Sequence, residues 1–88
     1  MNIEYIKWKD SYGCSSSWGE IGDHLPKPAV CESAGFLLKE DSDYIVIAGH
    51  YHGSDDDIGS IASACGEMAI PKCSIIERKI LMEVKCLI

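Results

Sequence analysis

The stretch Asp10–Trp18, DSYGCSSSW, sets a row of hydroxyls and a thiol beside two aromatic rings. Serine hydroxyls donate and accept hydrogen bonds, the backbone at Gly13 is sterically open, and Tyr12 and Trp18 offer flat faces to a base or a sugar ring. Such residues suit a neutral or mildly anionic heterocycle, held by stacking and many hydrogen bonds rather than by bulk positive charge. Tyr12, Cys14, Ser15, Ser16, Ser17 and Trp18 are therefore candidate ligand-binding residues, joined by Met68 of the CGEMAIP stretch and by Lys72 and Arg78 as local counter-charges. The plainer alternative is an ordinary turn, in which Trp18 caps the edge of the core and the serines satisfy their own backbone amides.

Two other constellations have chemical potential. His50 and His52 lie two apart, so on a strand they share a face, and one divalent ion could take both imidazoles and a carboxylate from Asp55, Asp56 or Asp57. Two exposed histidines beside a solvated acidic turn are the competing reading. Cys14 or a neighbouring serine could act as nucleophile with His24, His50 or His52 as base. The stretch lacks the G-x-S-x-G pattern of a nucleophile elbow, however. Binding is favoured over catalysis, and no catalytic residue, metal ligand or cofactor is assigned.

The elements that must position these residues read as short strands. Ile3–Lys9 is rich in β-branched and aromatic residues and too short for a stable helix. About twenty residues dense in Ser, Gly, Asp and Pro follow, with Ser17 and Glu20 spaced as a capping box for at most one helical turn. Ala29–Lys39 and Tyr44–Tyr51 flank the acidic EDSD as a hairpin. Both alternating sets of the second of these strands are largely apolar, which predicts a strand covered on both sides, in the interior of a sheet. A second long connection holds Asp55, Asp56 and Asp57 and predicts a short helix through Ile58 to Ala64. EMAIPKCS gives a brief strand stopped by Pro71. The tail from Ile75 alternates with period 2, which predicts a strand, with a helix through Ile75 to Val84 as the alternative. The expected fold is a single mainly β domain over residues 1–88: a small, strongly bent antiparallel sheet or partly open barrel of about five strands with one short helix.

Composition bounds the partners. The chain has 88 residues, 47% of them hydrophobic, and a net charge of −6. Glu40, Asp41, Asp43, Asp55, Asp56 and Asp57 alone account for that charge, since the flanks balance. Seven scattered lysines and one arginine disfavour nucleic acid as a partner. No apolar run approaches a membrane span or a signal peptide, so a cytosolic location without a membrane partner is expected. The five cysteines form no CxxC pair and read as free thiols. A chain this small has a thin stability margin, and a homo-oligomer is expected to supplement it.

The segments W-x-D-S-Y-G-C-S-S-S-W (Trp8–Trp18), C-x-S-x-G-F-L (Cys31–Leu37) and C-G-x-M-x-I-P (Cys65–Pro71) occur here in that order. The combination resembles a family of very small, mostly uncharacterised tailed-bacteriophage proteins, over about 60 of the 88 residues. Phe36 stands where that family is expected to have Trp. The resemblance carries over no catalytic residues. It implies an accessory role in the host cell cytosol, and by analogy with other compact phage proteins a counter-defence one. The resulting expectation is a non-catalytic protein that binds a small nucleotide-like ligand and sequesters an immune signal. The alternatives are an acidic inhibitor that engages a host protein through Glu40 to Asp57, and a metal-assisted hydrolase using His50, His52 and an aspartate.

Overall fold

The computed structural model describes residues 1–13, 17–22, 25–53 and 61–85. Five strands, β1 (Asn2–Asp10), β2 (Ala29–Glu40), β3 (Tyr44–His52), β4 (Ser63–Pro71) and β5 (Ile75–Glu83), form one antiparallel sheet in the order β4-β3-β2-β1-β5. The mainly β fold with five antiparallel strands is the one the sequence predicts. The tail forms the strand β5, as its period-2 alternation indicates.

Two features curl the sheet. First, β4 and β5 are its opposite edges, yet only the 3-10 turn Lys72–Ser74 separates them in sequence. Five flat strands would hold the edges about 19 Å apart at ~4.8 Å per interval. Three residues of 3-10 helix rise only about 6 Å. The edges must therefore approach one another at this end. The turn is pinned there by the Lys72 amide, which donates to the Asp43 carbonyl at 2.8 Å, and by the Ser74 hydroxyl, which donates to the Pro71 carbonyl at 2.9 Å.

Second, β2 serves two partners. Its first part, Ala29–Phe36, pairs with β1, and Phe36–Glu40 pairs with β3, with a register shift between Leu37 and Lys39. The changeover falls at Gly35, where a Cβ would lie 2.6 Å from the Ala48 carbonyl oxygen. Only glycine admits that approach of backbone to backbone.

The concave face holds a small core. Ile6, Ile45, Ile47 and Ile70 are buried together, with Trp8, Leu37 and Ile75 packed against them. The Trp8 indole donates to the Ser33 hydroxyl at 3.1 Å, so its polar end is satisfied as its ring packs. Ala48, opposite Phe36, is buried too, and the Phe36 and Tyr51 rings lie 6.0 Å apart in a tilted pair. The expected interior position of β3 is met by this two-sided cover.

The helix expected through Ile58 to Ala64 is corrected in part. Residues 58–60 lie outside the described residues, but Ser63 and Ala64 belong to β4 and pair with His52 and Tyr51. Ladder pairing along a whole strand outweighs one turn of helix, whose nucleation is unfavourable. The strand around Met68 is correspondingly longer than EMAIP, although it does end at Pro71. No helix follows Ser17 in residues 17–22 either.

Gly35→Ala should lower the unfolding free energy by about 1–3 kcal/mol, the range for a backbone forced off a close contact. Urea unfolding of the two proteins checks this, and a matched control at Gly13, where a Cβ would meet nothing within 4 Å, should stay within about 0.5 kcal/mol.

Candidate functional site

The connection between β1 and β2 opens with the Ser11 amide donating to the Asp10 carboxylate at 2.8 Å. Beyond it the large apolar side chains face water: Tyr12 is 59% exposed, Trp18 fully so, and Ile21 and Leu25 are also exposed. Trp18 therefore does not cap the core. Tyr12, Ser17 and Trp18 are placed on this connection, whereas Cys14, Ser15 and Ser16 lie outside the described residues.

The other members of the expected site go elsewhere. Met68 is on the edge strand β4, opposite Ile47 and 43% exposed, and strand register does not bring it beside Tyr12 or Trp18. Lys72 and Arg78 belong to an ionic network. The Arg78 guanidinium donates through Nε to Glu4 at 2.6 Å and through both terminal nitrogens to Glu40 at 2.8 and 3.0 Å. A further donation reaches Glu4 at 3.2 Å. Lys72 reaches Glu40 at 2.8 Å. The counter-charges read from the sequence are thus already committed to carboxylates of the chain itself.

This network is the main electrostatic feature of the fold. Glu4 is the buried charged residue among those described, at 2% exposure, and Arg78 is mostly covered. Hydrogen bonds from Arg78 and then Lys72 hold the Glu40 carboxyl down at about 2, and the two carboxylates push the Arg78 guanidinium further up. A carboxyl held low in the folded state adds stability above its ordinary pKa, and that increment fades as pH falls from about 4.5 towards 2. Asn2, Glu4, Leu37, Glu40, Arg78 and Ile80 border a concavity of about 350 Å3 over the network.

The acidic segment is less a free surface than its sequence implies. Besides Glu40, Asp41 is tied into the β2–β3 turn, accepting the amides of Asp43 at 2.8 Å and Tyr44 at 3.0 Å, which hold its carboxyl low. Asp55, Asp56 and Asp57 lie outside the described residues. His50 and His52 sit at the far end of β3, opposite Cys65 and Ser63. As they stand, no three His, Cys, Asp or Glu side chains among the described residues are arranged to hold a metal ion. Cys31, Cys65 and Cys73 are free thiols. No helix among the described residues is long and apolar enough to cross a membrane.

The Glu4–Arg78 pair was not recognised as a unit in the sequence, although a signal was present. Each is a charge set beside apolar residues of its strand phase, Glu4 next to Ile6 and Trp8, Arg78 between Ile76 and Ile80. No protein-family model, curated protein or solved structure matches the chain.

Arg78→Met should cost about 3 kcal/mol, because it leaves the Glu4 carboxylate buried without its partner. The loss is read as a lower urea midpoint. Replacing Glu4 by Met in the same protein should recover part of it, which a mere packing defect at position 78 would not allow.

Proposed function

We propose that this chain is a non-catalytic binding module that holds a planar, nucleotide-like ligand on the β1–β2 connection, with Tyr12 and Trp18 as stacking faces. The observation that carries the reading is the exposure of Trp18 and Tyr12 in a protein short of apolar packing. Burying either ring is worth on the order of 1.5–3 kcal/mol, yet the fold leaves both in water while its core is built from four isoleucines. Aromatic faces left bare on a loop mark an interaction site.

Counter-charge for an anionic ligand falls to Lys9 and Lys27, which are exposed at the two ends of the connection, since Lys72 and Arg78 are engaged with Glu40 and Glu4. Two lysines against a net charge of −6 favour a ligand of low charge. In a phage accessory protein of the kind the motifs resemble, such a module sequesters a nucleotide-derived signal in the host cytosol. The acidic-inhibitor alternative is less well supported, because Glu40 and Asp41 are held by internal hydrogen bonds.

Calorimetric titration with cyclic dinucleotides and ADP-ribose derivatives should give saturable heat, and Trp18→Ala should weaken it by about tenfold to a hundredfold, the worth of one stacked base. No heat with any of these ligands far above micromolar concentration would overturn the reading. The same reading assigns the bare apolar end of β5, Ile80, Leu81 and Met82, to contact with a second copy, as an edge strand without Pro or Gly is a template for pairing. Sedimentation should find a homo-oligomer that Leu81→Lys dissociates; a wild-type monomer at high concentration would remove this part.

A further inference from the structure

His50 and Cys65 are direct partners across the β3–β4 ladder, and His52 is opposite Ser63 one pleat further on. Partners in an antiparallel ladder project from the same face, with Cβ atoms about 4.5–5.5 Å apart. Residues two apart on one strand share that face too, at about 6.8 Å. The register therefore brings two imidazoles and one thiol to a single face at the open end of this hairpin. There they border a shallow concavity of about 170 Å3, together with Tyr51, Ser63 and Ala64. His50, His52 and Cys65 are all exposed, so room for an ion and its water is present, and His52 exchanges its present contact for the metal on binding.

We propose that His50, His52 and Cys65 form a binding site for a transition-metal ion of the zinc class. The donor set decides the chemistry: imidazole nitrogen with thiolate sulfur selects borderline-soft ions such as zinc and cobalt over magnesium or calcium, which need oxygen. Side-chain rotation on the paired backbone closes the site, since the donors are not converged as they stand. Three protein ligands leave the fourth tetrahedral position to water. On binding, the Cys65 S–H bond breaks, its proton passes to solvent, and the sulfur bonds to the metal. The aspartates that the sequence suggests as further ligands are not required. Cys65, remote in sequence from the histidines, is the third donor that the ladder supplies.

Cobalt(II) titration of the full chain under reducing conditions tests this. One equivalent per chain should raise a thiolate-to-cobalt charge-transfer band in the near ultraviolet, with visible bands of four-coordinate cobalt, and zinc should displace it. Cys65→Ser should abolish the charge-transfer band, and His50→Ala or His52→Ala should weaken binding roughly tenfold or more. Cys73→Ser, at an exposed thiol outside the site, should change nothing. Far-ultraviolet circular dichroism checks that each variant keeps its sheet. No charge-transfer band in the wild type, a band that survives Cys65→Ser, or one cobalt per two chains would each overturn the proposal.

Discussion

One guanidinium ties one side of the sheet together. Arg78 on β5 reaches Glu4 on β1 and Glu40 on β2, and Glu40 in turn receives Lys72 from the turn that precedes β5. These groups come from four separate elements, and none of the buried side-chain polar atoms among the described residues is left without a hydrogen bond. A covered ion pair adds little net stability over apolar residues of the same shape. What it gives here is register, since a one-residue slip of β5 along β1 moves the arginine to the other face and strands a carboxylate in the interior. The small core makes this discrimination important, because four isoleucines alone would tolerate several arrangements.

Around that anchor the chain divides its apolar residues unequally. The concave face takes Ile6, Ile45, Ile47 and Ile70, while Tyr12, Trp18, Ile21, Leu25, Ile80, Leu81 and Met82 remain outside. Val30, Ile61, Met68 and Ile76 are exposed as well, so bare apolar side chains occur on β2, before and on β4 and along β5 besides the β1–β2 connection. The two sheet edges also differ. β4 carries Pro71 and Gly66 at a φ of 72°, both of which spoil a template for pairing, and β5 carries neither.

Much of the fold was legible in the residues. β-branched and aromatic content located β1, the short acidic connector located the hairpin of β2 and β3, period-2 alternation located β5, and the two apolar phases of Tyr44–Ala48 indicated a covered strand. Local patterns failed where pairing at a distance decided the outcome. Ser63 and Ala64 carry no strong strand preference and became strand because His52 and Tyr51 were available opposite them. Lys72 and Arg78 looked like spare cations for a ligand because their carboxylate partners are remote in sequence, Glu4 lying 74 positions from Arg78. The aromatic and hydroxyl content of the candidate site could be read directly, but the exposure of Trp18 could not, since a lone tryptophan after serines suits a core edge as well as a loop tip.

The sequence distance between the first and last strands also bears on assembly during synthesis. The Met1 and Val84 backbones bond each other in both directions, and β1 lies between β2 and β5. A nascent chain can zip β1 to β4 as successive hairpins, but it must hold the Glu4 carboxylate in water until the final strand emerges from the ribosome. Pairing of β5 with β1 is thus a late event, and until it happens that edge of β1 stays open to chaperones, proteases or another unfinished copy.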